Sequence, residues 1–241
     1  MTLETRPCIG LVVPPGAGQV PDDALHLYGE RVNFIARGLG IGGVSPEGFA
    51  PVVDRIVDLA RELRDAGASA ISLMGTSISF YRGAAWTEQL RQAMEDACGL
   101  PCTTMSHAVV RSLQALGVRC VAVATSYIDE LNQRLVEHLT VSGFEVTAIE
   151  GLGITGVRDV GEVSASTLIA LAERVVARDR RADGVFISCG GLQTHDVIEA
   201  LEARLGLPAS ASSPAGFWDV MRLAGQDPRA GGFGRLFRLP A

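Results

Sequence analysis

The chain has 241 residues, 47% of them hydrophobic, and a formal charge of -6 from 27 acidic and 21 basic side chains. That is enough apolar material for a sizeable core in one large or two small domains, and the acidic balance speaks against a general nucleic-acid or anionic-membrane surface, since both need a basic patch. All 21 basic residues are arginine, which excludes a Schiff-base lysine, a lysine-bound pyridoxal phosphate and a Walker-type phosphate loop together.

In chain order, Met1 to Arg6 is mixed in charge, and the apolar strand "CIGLVVP" stops at Pro14-Pro15. It is too short for a membrane span and unlike a signal peptide, so the expectation is a cytoplasmic protein with no membrane partner. "GLGIGG" (Gly38, Gly40, Gly43) matches the dinucleotide fingerprint. No strand is read before it and no ribose-binding acid after it, so it reads as a tight glycine turn whose neighbours Ile41 and Val44 line an apolar wall. Then come the helix "FAPVVDRIVDLARELRDAG", the strand "AISLMG", and Gly75-Thr76-Ser77 at its end. Two hydroxyls beside a glycine at a strand-to-helix turn suit a carboxylate, although capping of the helix by either accounts for them equally. Ser79 stands where a serine-hydrolase elbow needs glycine, so that chemistry is excluded. The helix "WTEQLRQAMEDACG", the strand "PCTTM" and the helix "HAVVRSLQALG" close a first half, placed at residues 1–117.

Residues 118–241 repeat this βα rhythm, the mark of a parallel sheet covered on both faces. "RCVAVAT" is a strand, Tyr127 to Leu139 a helix, "FEVTAI" a strand, and "GLGITG" (Gly151, Gly153, Gly156) a second glycine turn, with Val157 and Val160 beside it. A helix from Ser166 to Ala177, the strand "GVFIS", a helix from Asp196 to Leu205 and one from Gly216 to Leu223 follow. The halves overlay: "RPCIGLVVPP" on "VRCVAVATSY", "DAGASAISLMG" on "DRRADGVFISC", and "GLPCTTMSHAVV" on "GLPASASSPAGF". Two related α/β domains result, with the segment 212–241 placed to pack back on the first. Ligands of parallel sheets bind beyond the carboxyl ends of the strands. A cleft between the halves therefore brings Pro14-Pro15 and Gly75 to Ser77 opposite Ser126-Tyr127 and Cys189-Gly190-Gly191.

Five cysteines and four histidines show no zinc spacing, so no catalytic metal is expected. Cys8, Cys98, Cys102 and Cys120 read as small core residues. Cys189 differs, because it ends a strand and precedes two glycines whose amides can reach a ligand or acidify the thiol. His195 reads as solvent-facing at a helix start rather than as a base for Cys189.

The segments "VVPP", "LMGTSISFYRGAAW", "LPCTTMS", "ITGV", "SCGGL" and "SSPAGFWDVMRLAG" together resemble the arylmalonate decarboxylases, within the aspartate/glutamate racemase superfamily that also holds maleate isomerases and hydantoin racemases. The resemblance implies an α/β fold of two pseudosymmetric parallel-sheet domains with the active site in the cleft between them. It also implies cofactor-free decarboxylation of an α-aryl, α-substituted malonate, a small dicarboxylate, by a monomer. Thr76, Ser77, Tyr127 and the Gly190 amide would hold one carboxylate, and Ile41, Val44, Ile78, Val157 and Val160 would face the other. Pro14 and Pro15 would carry the aryl ring, and Cys189 would deliver the proton. Racemases of this superfamily carry a cysteine on each side of the cleft; here Gly75 stands at the first position, implying a single enantiomer. Racemisation, or cis-trans isomerisation of maleate, is the competing reaction, and it would need Cys102 in the cleft. A small-anion binder without catalysis is the third reading.

Overall fold

The computed structural model describes residues 6–240. Its first half runs β1 (Cys8–Val13), α1 (Asp22–Tyr28), β2 (Asn33–Gly38), α2 (Pro46–Phe49), α3 (Arg55–Asp65), β3 (Ala70–Leu73), α4 (Thr76–Phe80), α5 (Ala84–Cys98), β4 (Cys102–Thr104) and α6 (Met105–Ala115). The second runs β5 (Cys120–Thr125), α7 (Asp129–Val141), β6 (Glu145–Gly151), α8 (Val157–Gly161), α9 (Ala165–Arg178), β7 (Gly184–Ser188), α10 (Ile198–Leu205), β8 (Ala209–Ala211) and α11 (Ser212–Leu223), with a 3-10 turn at Arg235–Arg238.

Each half is one parallel sheet, in the orders β2-β1-β3-β4 and β6-β5-β7-β8. The inner strands β1, β3, β5 and β7 are buried almost throughout, as the uninterrupted apolar runs require when helices cover both faces. Their carboxyl ends carry Pro14, Gly75, Ser126 and Cys189. Amphipathic α3, α5, α7 and α9 supply the covering side chains, with Ile56, Leu63, Met94, Leu135 and Leu171 at 0–1% exposure. Truncating one such leucine to alanine costs about 2–5 kcal/mol.

Several elements differ from the sequence reading: α2 and α8 are absent from it, and α3 begins at Arg55, six residues after the start of the helix read from Phe49. β2 is an edge strand of half-buried residues, and its Asn33 and Arg37 break the apolar run that would announce it. β8 is three small residues with no β-branched signal. α1 is a seven-residue helix entered from Pro21. The glycine turns are corrected accordingly: Gly38 ends β2 and Gly151 ends β6, so both turns do follow strands. They lead into helices of four and five residues and pair with each other, the Val44 amide donating to the Thr155 carbonyl at 2.8 Å.

α11 crosses back to the first sheet. Phe217, Trp218, Val220 and Met221 join Ile9, Leu11 and Val13 in a cluster that also takes in Phe233 and Phe237. Asp219, 1% exposed, fixes the crossing by accepting from Thr103 Oγ1 at 2.6 Å and Arg111 Nη1 at 2.7 Å. Among the described residues no helix is long and apolar enough to cross a membrane.

Candidate active site

A cavity of about 550 Å³ opens between the carboxyl ends of the two sheets. Its walls include Pro14, Pro15, Ile41, Val44, Gly75, Thr76, Ser77, Ile78, Val157, Val160, Cys189 and Gly190. Of the residues singled out from sequence, only Tyr127 lies behind this wall: it is 1% exposed, and its hydroxyl accepts from Ser188 Oγ at 3.2 Å and reaches Thr76 and Ser77. Burial holds its phenol well above the ordinary range, so it stays protonated.

Cys189 is the thiol in the cavity. Among the described residues it alone, glycines apart, has a left-handed backbone angle, φ 154°, a conformation that costs energy and persists only where neighbours enforce it. Its amide donates to Ser212 Oγ at 3.2 Å and its carbonyl accepts from the Leu192 amide at 3.2 Å. The Ser126 hydroxyl, the Gly191 amide and the Tyr127 hydroxyl favour a charged sulfur. Those donors pull the thiol pKa down, but burial outweighs them and raises it, so the thiol carries its proton at neutral pH. The two glycines are there because the chain has no room: a Cβ on Gly190 would sit 3.0 Å from the Met74 carbonyl, and one on Gly191 3.0 Å from Val160 Cγ1.

Opposite, Gly75 leads from β3 into α4, where Thr76 and Ser77 are 2% and 6% exposed. Ser79 Oγ donates to the Thr76 carbonyl at 2.8 Å and Ser106 Oγ to the same oxygen at 3.2 Å, locking this turn. The far wall is apolar, with Ile41, Val44, Ile78, Val157 and Val160 joined by Phe49. A carboxylate pressed against these side chains loses water and gains no donor from them, although Arg158 also lines the cavity, whereas one beside Thr76, Ser77 and Gly190 meets several donors.

The outer end of the cavity holds residues that sequence reasoning missed: Gln19, Asp23, His26, Gln193 and Ser213. Asp23 and His26 sit on α1, which went unread. Burial raises the Asp23 carboxyl above its usual value. His195 also lines this end, stacked on His26 with ring centroids 5.8 Å apart and its Nε2 3.0 Å from Asp196. It does not stand against the Cys189 sulfur. Cys98 and Cys102 are buried together, with sulfurs 3.5 Å apart, outside the cavity wall. Cys8 and Cys120 open β1 and β5 and are half-buried. Among the described residues no three His, Cys, Asp or Glu side chains converge as a metal site.

A family model described as arylmalonate decarboxylase matches residues 9–237. The chain is 51% identical to the arylmalonate decarboxylase of Bordetella bronchiseptica over 238 residues, 98% of this chain and 99% of that protein. A solved structure of arylmalonate decarboxylase in its liganded form, bearing a glycine-to-cysteine and a cysteine-to-serine exchange, superposes with a TM-score of 0.94 at 51% identity, covering 96% of this chain and 98% of that one. The maleate cis-trans isomerase of Nocardia farcinica shares the fold alone, with a TM-score of 0.86 at 22% identity over 96% of this chain and 98% of that one. With a family model spanning nearly its whole length and a full-length relative of that identity, the chain belongs to the arylmalonate decarboxylase family.

Proposed function

We propose that this enzyme decarboxylates α-aryl, α-substituted malonates without a cofactor, and that Cys189 protonates the resulting carbon on one face. The observation that carries the reading is the asymmetry of the cavity: one wall bears a protonated thiol, and the matching strand end of the other half bears Gly75. Membership of the family and the exchange of one glycine and one cysteine in the solved relative support it.

The chemistry follows from the walls. One substrate carboxylate takes hydrogen bonds from Thr76, Ser77, Tyr127 and the Gly190 amide; the second lies against Ile41, Val44, Ile78, Val157 and Val160. Loss of the second as neutral carbon dioxide relieves its poor solvation, while the donors around the first stabilise the enediolate that forms. The aryl ring, resting on Pro14 and Pro15, delocalises the developing negative charge. The thiol then gives its proton to the α-carbon. A raised thiol pKa suits this order, because an acid already ionised would have nothing to deliver.

A maleate isomerase or racemase on this fold needs a second acid or nucleophile across the cleft, and Cys102 lies in the core beside Cys98. The purified protein should release carbon dioxide from α-methyl-α-phenylmalonate and leave maleate unchanged. Conversion of maleate, with the arylmalonate untouched, would replace this reading.

A further inference from the structure

Ser126 has no part in the chemistry above. It follows β5 directly, is 0% exposed, and is held by its backbone on two sides: its amide donates to the Ser188 carbonyl at 3.4 Å and its carbonyl accepts from the Ile154 amide at 2.7 Å. The side chain is therefore free only to rotate. Its hydroxyl is buried and has no hydrogen-bond partner in the resting site, an arrangement that costs stability and calls for a reason. Its neighbours are all engaged. Thr125 Oγ1 donates to Asn132 Oδ1 at 2.6 Å and accepts from the Tyr127 amide at 3.0 Å, and the Tyr127 hydroxyl accepts from Ser188 Oγ. Cys189 directly follows Ser188, whose carbonyl takes the Ser126 amide, and the Ser126 hydroxyl favours a charged sulfur there.

We propose that Ser126 is a positioning residue for the Cys189 acid: its hydroxyl, unpartnered in the resting site, turns to donate to the thiolate once the proton has gone. The proposal rests on the reading of Cys189 as proton donor. In that step the S–H bond breaks as a C–H bond forms at the α-carbon. The electron pair left by departing carbon dioxide makes the new bond, and sulfur keeps its own pair as thiolate. A proton from solvent restores the thiol after product leaves. The thiolate arises in a site where Tyr127 is the ionisable group against the sulfur, and that phenol is neutral. Arg158, His26 and His195 line the cavity, but among the described residues no cation acts on the sulfur, so dipoles meet the new charge. Of the three groups around the sulfur, Gly191 offers a fixed amide and Tyr127 is shared with the substrate carboxylate. Ser126 alone has a rotatable donor with no other use.

The test is Ser126→Ala, read by the pH dependence of alkylation of Cys189 with a small haloacetamide, followed on the peptide carrying Cys189 by mass spectrometry. Loss of one hydrogen bond to a charged group should raise the midpoint by about one pH unit and lower kcat on the order of tenfold, with KM unchanged. Ser126→Thr, which keeps the hydroxyl, should return the midpoint towards wild type. An unchanged midpoint in folded Ser126→Ala overturns the proposal, as does a fall in kcat matched only by a lower melting temperature. The alkylation needs no substrate, so it reports on Ser126 even if the wild-type chain fails to turn over arylmalonates, the result that would instead remove the proposed function.

Discussion

Gly75→Cys asks two things of the structure at once. The backbone there is extended, φ -137° and ψ 107°, so a side chain meets no backbone strain. Space is the obstacle. A Cβ on Gly75 would lie 2.5 Å from Ile78 Cγ2 and 3.2 Å from Pro14 Cγ, against ordinary carbon contacts of about 3.5–4.0 Å. Ile78 cannot swing aside, being β-branched, on α4 and 1% exposed. Overpacking of this kind costs about 1–3 kcal/mol, which for a chain of this length lowers the melting temperature by about 2–12 °C. Ile78→Leu moves the branch from Cβ to Cγ and removes Cγ2, so the double variant should recover most of the loss. Thermal unfolding checks this; a single variant as stable as wild type, or a double variant no more stable than the single, would refute the steric argument. The new thiol also faces Cys189 across the cleft. A pure enantiomer of an α-aryl propionate should then racemise, followed by chiral chromatography, and retention of configuration in the folded variant would show that the two positions do not address opposite faces.

Cys189→Ser should lose decarboxylation by about a hundredfold to ten-thousandfold, the span of a general acid's contribution, with an unchanged circular dichroism spectrum; near-normal turnover would end the assignment of the proton donor. His138 is 7% exposed, and burial lowers its imidazole from 6.5 to about 4. The unfolded chain therefore binds the extra proton first, so the stability tied to this residue is complete above pH 6.5 and is lost as pH falls towards 4. The shift corresponds to about 3 kcal/mol. Denaturant unfolding of His138→Leu should show a flatter dependence over that window than wild type, and parallel curves would contradict it. Asp219→Ala leaves Arg111 without its buried partner, and because that arginine side chain is 36% exposed the expected loss is about 2–4 kcal/mol, measured by the same titration.

What sequence could reveal was decided by how each segment is buried. β1, β3, β5 and β7 are central strands, and their continuous apolar runs have no other reading. β2 shows half of itself to solvent, and β8 is made of alanine and serine, so neither carries a strand's signature. α11 begins at Ser212, four residues before the helix read from sequence, because Pro214 looks like a breaker. It sits in the first turn, where a missing amide proton costs nothing. Overlay of the halves made the Gly75 and Cys189 positions visible, since both end equivalent strands. Asp23 and His26 lie on α1, whose seven residues are too few to show a helical period, and Ser126 stands at a strand end beside Tyr127 with nothing in the sequence to mark its unpartnered hydroxyl. The left-handed backbone of Cys189 has no trace in sequence; the hydrogen bond from its amide to Ser212, on another element, accompanies it.

The central claim is one thiol acting on one face. The direct measurement is turnover of α-methyl-α-phenylmalonate in deuterated water without added cofactor, with the product followed by NMR and chiral separation. Carbon dioxide release with one deuterium at the α-carbon and one dominant enantiomer is the expected result. A racemic product, or no turnover while an isomerase substrate reacts, would contradict the single-faced acid and require a second group that Gly75 does not provide.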